Sequence, residues 1–376
     1  MTHRRGQWRR IVGWQHKAQA HPGVFHTGGV WIVITPELAQ QVLVHDTDAY
    51  PLAPAFLRVN RHQSLPVQMQ KQIVSALLRL LARKRPGIGI GQVSGMMTDP
   101  KKAEFQSWGI RLMRESYRQA IADSRSPVFD AAVDRFVGNV LIDSVVRGHC
   151  FTRRRKAFSS LQRELAPEIA AVRSTGAEAD DLVDVVNDLR PTLSPMECAE
   201  LYLRLVTALL GATGIALEWT VALTGGTGIA HGRANTRDLR HAVLETQRLY
   251  PSSWRLYREA RRENTLGGHR IRAGDHVVVA SSVIHRDPTL WEDPDTFRPD
   301  RWAEDAAVPP GSYLPFSDGP GICPGRGVAL ETIRQAAATL LCHNVAEARF
   351  TPGADPRVLA LLAPPAGHLR LYARQG

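Results

Sequence analysis

Residues 194–223 form the stretch that constrains the fold most. Ser194, Pro195 and Glu197 are a typical helix start, with a hydroxyl cap, a proline in the first helical position and an acid three residues after the cap. The apolar run that follows ends at Gly225. A helix of this length spans about 40 Å. Because it is apolar on most sides, we expect it to lie at the centre of a large domain.

The rest of the chain is predicted to be mainly helical, with small β-sheets. The spacing of apolar residues predicts further helices at residues 36–44, 68–84, 104–121, 128–146, 153–172, 236–250 and 326–342. Strands are predicted at residues 30–34 and 276–284, and around a turn at Gly267 and Gly268. The sequence contains no linker, low-complexity tract or internal repeat, so residues 1–376 are interpreted as one domain that starts with a basic segment, residues 1–25.

Charge and cysteine content limit the classes of partner and compartment. The net charge of +11 favours acidic partners, although a generally basic surface without a specific partner accounts for it equally well. The cysteines are widely spaced and include no C-x-x-C pair, which argues against a disulfide framework or a zinc site; they are Cys150, Cys198, Cys323 and Cys342. The N-terminus lacks the apolar core of a signal peptide. We therefore expect a cytoplasmic protein that binds neither membrane nor nucleic acid.

The segment of residues 316–325, FSDGPGICPG, is the most specific local pattern. It places Cys323 just before the N-terminus of a predicted helix, where backbone N–H groups and the helix dipole stabilise a thiolate. Glycines allow the sharp turns that direct those N–H groups towards the sulfur. Phe316 can shield the sulfur from water. The alternative is a buried structural cysteine in a glycine- and proline-rich turn.

The complete pattern F-x-x-G-x-x-x-C-x-G resembles the haem-binding loop of cytochromes P450. The resemblance implies the cytochrome P450 fold, with the long central helix over haem b (iron-protoporphyrin IX). It makes Cys323 the axial ligand of the iron, in a loop shaped by Phe316, Gly319 and Gly325. The family carries an arginine or histidine two residues before the cysteine, which pairs with a haem propionate. This chain has Gly321 there.

Two further motifs occur in the order that the family shows. Glu245 and Arg248 match its E-x-x-R helix, and Arg301 lies in the segment FRPDRW that matches its later arginine-containing turn. The resemblance implies that these three residues form a buried ion network behind the cysteine loop. A planar guanidinium held by a carboxylate explains why arginine rather than lysine stands at these positions.

Three side chains are expected at the edge of the haem. Arg258 matches the family's strand arginine, which grips a propionate. Arg79 is the best candidate for a second propionate contact, from the helix at residues 68–84, with Trp108 and Arg111 as a rival that comes later in the chain. His285 has two interpretations: its side chain approaches the haem edge, or it anchors a turn.

The centre of the long helix departs from the family. Aligned on Trp219, the family's acid falls on Gly211 and its oxygen-activating threonine on Ala212, while Thr213 takes the second threonine position. A shift of one residue would make Thr213 the active hydroxyl. These three residues are the candidate catalytic positions, because an acid and a hydroxyl at this site deliver protons to iron-bound oxygen in the family.

The resemblance implies a haem-thiolate enzyme, a cytochrome P450 monooxygenase. We expect it to oxygenate or oxidatively rearrange a small hydrophobic metabolite with O2, using electrons from a separate acidic ferredoxin and ferredoxin reductase. The residues expected to face the ferredoxin are Arg79, Arg83, Lys84, Arg85 and Arg326. Alternatives are a peroxide-dependent or redox-neutral haem enzyme, such as an isomerase or dehydratase, and a non-catalytic relative that binds a partner. A nucleic-acid binder has no motif to support it.

Overall fold

The computed structural model describes most of the chain. The described residues are 5–18, 20–21, 23–52, 57, 59, 64–85, 87, 108–122, 126–144, 151–172, 179–189, 192–225, 236–303, 308–350, 354–358, 361–365 and 367–373.

Helices dominate these residues. The α-helices are α1 (Arg5–Ala18), α2 (Pro36–Gln40), α3 (Val67–Lys84), α4 (Trp108–Ser116), α5 (Arg118–Ile121), α6 (Pro127–Phe136), α7 (Phe151–Ala171), α8 (Leu182–Asn187), α9 (Pro195–Thr224), α10 (Thr236–Leu249), α11 (Ser281–Ile284) and α12 (Arg326–His343). Single π-helical turns extend α2 over Gln41–His45 and α6 over Val137–Leu141, and short 3-10 helices occupy Pro299–Trp302 and Gly319–Gly321.

The predicted central helix is α9, and it has the expected ends. The Glu197 N–H donates to the Ser194 hydroxyl (3.3 Å), and the Ser194 N–H donates to the Glu197 carboxylate (2.9 Å). Gly225 caps the other end, so the helix has 30 residues and is about 45 Å long. Its length and composition would also suit a membrane span, but an apolar stretch of 18 residues within this helix is 78% buried inside the protein. It packs against α4, α7 and α12, as a core helix does.

Two glycines let α4 cross α9 at close range. A Cβ on Gly109 would lie 2.2 Å from the carbonyl oxygen of Gly214, a distance that no side chain can occupy. The contact also lets the Gly109 N–H donate to the buried carboxylate of Glu218 (2.9 Å). The crossing therefore holds the middle of α9 in one position relative to the surrounding helices.

The strands form small sheets, as predicted. They are β1 (Val24–Thr27), β2 (Val30–Val33), β3 (Leu256–Glu259), β4 (Asn264–Leu266), β5 (His269–Ile271), β6 (His276–Val279), β7 (Asn344–Phe350), β8 (Arg357–Val358), β9 (Leu362–Ala363) and β10 (Gly367–Ala373). The largest sheet has the order β1-β2-β6-β3; β2 and β6 are parallel, and the other pairs are antiparallel. The remaining strands form two-stranded antiparallel pairs, β4 with β5, β7 with β10 and β8 with β9.

Two predicted elements end differently from expectation. The strand predicted for residues 276–284 stops at Val279, because the chain turns at Ala280 and α11 follows, with the His285 N–H donating to the Ser281 carbonyl (2.9 Å). The helix predicted for residues 104–121 is divided at Tyr117, whose backbone is not helical, into α4 and α5. Residues 104–107 and 145–146, where that helix was predicted to begin and another to end, lie outside the described residues.

The predicted ion network is present behind the cysteine loop. Arg248 donates from Nε and Nη2 to the two carboxylate oxygens of Glu245 (2.9 and 2.8 Å), and both side chains are fully buried. Arg301 Nε and the Trp302 indole N–H also donate to this carboxylate (3.0 and 2.9 Å). Burial by itself raises the pKa of Glu245, but the hydrogen bonds and charge of Arg248 outweigh it and leave the pKa below its usual value.

Arg248 also binds the chain segment that leads to the cysteine loop. Its guanidinium donates to the carbonyls of His285 (2.7 Å), Pro294 (2.7 Å) and Thr296 (3.2 Å). One buried side chain on α10 thus anchors three positions of a segment that has little regular structure. Helix α10 also packs against α12, which follows the cysteine loop.

His285 anchors the same segment and is fully buried. Its Nε2 accepts from the Leu314 N–H (2.7 Å), and its Nδ1 lies 3.0 Å from the Arg248 carbonyl, so Nδ1 carries the proton and donates. Burial lowers the pKa of the ring to about 3. Both ring nitrogens thus bind backbone groups, which fits the turn-anchoring interpretation, and an approach of this side chain to the haem edge stays a prediction.

Removing the buried guanidinium should be costly. We expect Arg248→Ala to lose about 3–5 kcal/mol of unfolding free energy, because the Glu245 carboxylate stays buried without its main partner. The matched control is Arg334→Ala, since Arg334 pairs with Glu331 at the same spacing on a more exposed face (2.6 Å) and its loss should cost about 0–1 kcal/mol. Urea unfolding followed by circular dichroism measures both. Equal losses in the two variants would contradict a special role for the buried pair.

Acid should destabilise the protein through His285. The folded-state pKa of about 3 lies below the ordinary value of 6.5, so this contribution to stability is present above pH 6.5 and is lost as the pH falls towards 3. Between pH 7.5 and pH 5 the loss should be about 2 kcal/mol. His285→Gln cannot take up this proton, and its unfolding midpoint should change less over that range. The exposed His45→Gln should behave like the wild type; a wild-type slope in His285→Gln would disprove the assignment.

Candidate functional site

Backbone contacts define the shape of the cysteine loop. The Cys323 N–H donates to the carbonyl of Phe316 (2.8 Å), which closes the loop. Gly319 has a φ of +58°, and a Cβ there would lie 2.8 Å from the carbonyl oxygen of Leu43. Only glycine meets both conditions. The loop is therefore shaped by its own sequence and by its contact with the π-helical turn after α2.

Cys323 lies three residues before α12 with a free thiol. The residue is partly exposed, and its sulfur accepts hydrogen bonds from the backbone N–H groups of Gly325 and Arg326. Burial raises the pKa of the thiol, and the two N–H groups counteract this in part. A Cβ on Gly325 would lie 3.9 Å from the sulfur, so this glycine borders the thiol directly. The arrangement suits a metal ligand, because a metal ion deprotonates a coordinating thiol.

Arg258 on β3 points its guanidinium at this loop. Its side chain is buried, with 7% of its surface exposed, and its Nη1 donates to the Tyr257 carbonyl (2.9 Å). Its Nη2 lies 2.9 Å from the position that a Cβ on Gly321 would occupy. Burial lowers the pKa of Arg258. Among the described residues no carboxylate pairs with it, and a buried charge of this kind calls for an anion.

Exposed apolar side chains lie beside this cation. Leu52 and Ile322 keep 46% and 42% of their surfaces exposed. Leu52 is near the same loop, with its Cδ1 3.3 Å from the Cβ position of Gly321, and Ile322 is the next residue in the chain. The cysteine loop thus carries a free thiol, while an apolar surface and a guanidinium without a carboxylate partner among the described residues lie beside its Gly321. These are the groups that bind a flat apolar macrocycle with an iron centre and carboxylate substituents, so the residues fit haem.

The oxygen-side candidates occupy different surroundings on α9. Gly211 is buried, and its Cβ position is 3.4 Å from Leu141 and 3.5 Å from Leu361. Ala212 is partly exposed. The Thr213 hydroxyl is buried and donates to the Leu209 carbonyl in its own helix. The Thr213 hydroxyl therefore lies against the backbone of its own helix.

A hydroxyl from another element lies next to Ala212. The Ser252 hydroxyl donates to the Ala212 carbonyl (3.1 Å), and Ser252 is buried. It reaches α9 because Tyr250, at the end of α10, stacks on Trp219 with 3.7 Å between the ring centroids. Sequence reasoning missed this residue. The available signal was its position directly after Pro251, where the E-x-x-R helix ends.

The remaining candidates for the haem edge lie elsewhere. Arg79 is exposed on α3, a helix that packs against α5 and α8. Trp108 is buried on α4, which crosses α9, and Arg111 is partly exposed on the same helix. A propionate contact by Arg79 thus stays a prediction, without support from a contact in the described residues. Of the predicted cofactor-binding residues, the structure brings together Cys323, Phe316, Gly319, Gly325 and Arg258.

Comparison with known sequences identifies the C-terminal third. The family model for cytochrome P450 matches residues 234–348. Dimethylnonatriene synthase of Arabidopsis thaliana is 39% identical over 111 residues, which are 28% of this chain and 22% of that protein. Cyclooctat-9-en-7-ol 5-monooxygenase of Streptomyces melanosporofaciens is 37% identical over 103 residues, 27% of this chain and 22% of that protein. The matched segment thus spans about a fifth of the length of these relatives.

Comparison with solved structures extends the similarity to nearly the whole chain. The crystal structure of the cytochrome P450DA haem domain superposes with a TM-score of 0.72 at 16% identity, covering 97% of this chain and 93% of that chain. At this identity the match establishes the fold, which is mainly α with small β-sheets, as predicted. The chain therefore has the fold of cytochromes P450 over almost its entire length, and its residues 234–348 match the sequence model of that family, whose cofactor is haem b.

Proposed function

We propose that the chain is a haem-thiolate monooxygenase that inserts oxygen into, or oxidatively rearranges, a small hydrophobic metabolite in the cytoplasm. The observation that carries the proposal is the cysteine loop, which holds the free thiol of Cys323 and has the Arg258 guanidinium, without a carboxylate partner among the described residues, and exposed apolar side chains beside it. When bound, haem b supplies the iron chemistry that activates dioxygen.

The chain's own residues would hold the cofactor and the loop. Cys323 would bind the iron through its sulfur, with the N–H groups of Gly325 and Arg326 stabilising its negative charge. Arg258 would bind a propionate, which gives its buried charge a partner. Glu245 and Arg248 would keep the loop in place through the segment that they anchor.

Helix α9 and the segment after α10 would form the substrate side. In the middle of α9, Ala208 is exposed and Ala212 partly exposed, although most of the helix is buried. These small side chains leave space, and they offer no charge to a substrate. A hydrophobic ligand suits such a surface. The name of the Streptomyces relative, a 5-monooxygenase of cyclooctat-9-en-7-ol, agrees with oxygen insertion into a compound of this kind.

An acidic ferredoxin, with its reductase, would supply the electrons. The net charge of +11 would attract an acidic protein, and the exposed Arg326 stands beside the cysteine loop, at the start of α12. Arg79 and Arg85 are also exposed, whereas Arg83 lies 3.6 Å from Asp180 and is partly neutralised. Arg326 is therefore the basic residue best placed to face the donor. Neither nucleic acid nor a membrane is proposed as a partner.

A second function is favoured by the oxygen side. Gly211 and Ala212 stand where the family has an acid and a hydroxyl, and the Thr213 hydroxyl is bound within its own helix. A peroxide-dependent or redox-neutral reaction, such as an isomerisation or a dehydration, requires less proton delivery from the protein. Under the monooxygenase proposal, the Ser252 hydroxyl is the group beside Ala212 that can hold and pass on a proton.

Replacing the thiolate ligand tests the central proposal. We expect Cys323→Ser to abolish the thiolate-type Soret band of the reduced protein with carbon monoxide, together with turnover, because serine does not provide the same electron-rich ligand. The matched control is Cys198→Ser, at a buried cysteine whose thiol donates to the Val186 carbonyl (3.4 Å). This control should keep the band. A thiolate-type band in Cys323→Ser would mean that another residue is the ligand.

A pair of hydroxyl variants tests the oxygen side. We expect Ser252→Ala to lower product formed per reducing equivalent by about tenfold or more and to raise hydrogen peroxide release, since it removes the hydroxyl beside Ala212. Thr213→Ala should leave this ratio nearly unchanged. The assay uses a surrogate ferredoxin and reductase with a panel of terpene alcohols. Loss of coupling in Thr213→Ala alone would show that Thr213 is the working hydroxyl; product formed without reducing equivalents would favour the second function.

A further inference from the structure

Three aromatic rings form a row beside the buried ion network, and none of them has a role in the proposed reaction. The ring centroids of Trp291 and Trp302 lie 5.8 Å apart, and those of Trp302 and Tyr313 lie 4.7 Å apart. Tyr313 lines a cavity of about 200 Å³ together with Phe316, whose carbonyl accepts the Cys323 N–H (2.8 Å). Trp302 is partly exposed, so the row leads from the surface to the cysteine loop.

The charges that contact the two indoles differ in sign. The guanidinium carbons of Arg248 and Arg301 lie over the ring of Trp291, 5.2 and 5.9 Å from its centroid. A positive charge over an aromatic face opposes the removal of an electron from that ring. Trp302 instead donates its indole N–H to the Glu245 carboxylate (2.9 Å), so the charged group that contacts this nitrogen is negative. Removal of an electron is therefore easier from Trp302 than from Trp291.

The carboxylate beside Trp302 remains an anion at neutral pH. Burial by itself raises the pKa of Glu245, but the hydrogen bonds and charge of Arg248 outweigh this effect and lower it. Glu245 thus accepts the indole hydrogen bond without taking the proton. An oxidised Trp302 would keep its proton and stay a radical cation, which the adjacent negative charge stabilises.

Tyr313 is the poorer place for the missing electron, although its ring lies between Trp302 and the loop. A phenol gives up its proton when it is oxidised, and the Tyr313 hydroxyl donates to the Leu244 carbonyl (3.1 Å), which is not a base. Burial raises the pKa of Tyr313 and makes loss of the proton still harder. The ring of Tyr313 is therefore a bridge for electrons and Trp302 is the residue that is oxidised.

We propose that Trp302 is a redox-active residue, which supplies electrons towards the cysteine loop when hydrogen peroxide reacts with the protein in the absence of substrate, and which small phenols at the surface then reduce. The inference rests on the proposed binding of haem b. It adds a second activity, the peroxide-dependent oxidation of phenols, and it gives the row of rings a role.

Electrons and protons balance in this activity. Hydrogen peroxide is the oxidant: its O–O bond breaks, it takes up two electrons and two protons, and two molecules of water form. Each electron leaves Trp302 through the ring of Tyr313, and a phenol returns an electron to Trp302 and releases a proton. Two phenols thus become two phenoxyl radicals for each peroxide, and the protons that they release equal those that the peroxide takes up.

The experiment locates the oxidised residue directly. Hydrogen peroxide is added to the haem-loaded protein together with the spin trap methylnitrosopropane, without substrate, and tryptic peptides are analysed by mass spectrometry. We expect the trap to be attached to Trp302 in the wild type. Trp302→Phe should lose this adduct and oxidise guaiacol, a small phenol, about tenfold more slowly. This variant should fold, because Arg248 and Arg301 still bind Glu245.

Variants of the neighbouring rings test the row. Trp291→Phe is the matched control, and it should keep both the adduct on Trp302 and the rate of guaiacol oxidation. Tyr313→Leu removes the bridging ring and should lower the adduct about tenfold, whereas Tyr313→Phe keeps the ring and should retain most of it. Thermal melting of the haem-free proteins checks that each variant is folded.

The outcomes separate this inference from the proposed function. If the reduced wild type with carbon monoxide shows no thiolate-type Soret band, the proposed function fails and the inference fails with it. If the band is present but the trap is attached to Trp291 or Tyr313, or to no residue, the inference is wrong and the proposed function stands. Guaiacol oxidation at the wild-type rate in Trp302→Phe, or an undiminished adduct in folded Tyr313→Leu, also overturns the inference.

Discussion

Glu245 and Arg248 are both fully buried, and the cysteine side of the molecule depends on this pair. The guanidinium reaches the Glu245 carboxylate and the carbonyls of His285, Pro294 and Thr296, so one side chain anchors a segment that consists mostly of turns. A buried ion pair contributes little net stability by itself. Its value here is positional, because the planar fork of arginine binds several groups in fixed directions, which lysine cannot do.

The same constraint extends through His285 to the loop. The ring joins the Arg248 carbonyl on α10 to the Leu314 N–H just before Phe316. The loop that follows is held in one conformation by two contacts. The Cys323 N–H donates to the Phe316 carbonyl, and Gly319 packs against the Leu43 carbonyl. The position of the thiol therefore depends on an ion pair with which the thiol is not in contact.

The surroundings of Gly321 show a side chain that is distant in sequence entering the space beside the cysteine loop. Gly321 and Arg258 are far apart in the chain, yet the guanidinium occupies the space where a side chain on the loop would stand. The middle of α9 shows a similar exchange. Ala212 lacks a hydroxyl, and Ser252 brings one from the end of α10. Both cases concern polar groups that arrive from neighbouring elements rather than from the motif itself.

What the sequence determined by itself follows from local physics. The capping box and apolar run of α9, the glycines of the cysteine loop and the E-x-x-R spacing all act within a few residues, so the long helix, the loop and the ion pair of Glu245 with Arg248 could be predicted. Tertiary structure decided the rest. It gave both ring nitrogens of His285 backbone partners and brought Ser252 to Ala212 and Arg258 to Gly321. These contacts depend on how elements that are distant in the sequence pack against one another, and local sequence patterns do not specify that packing.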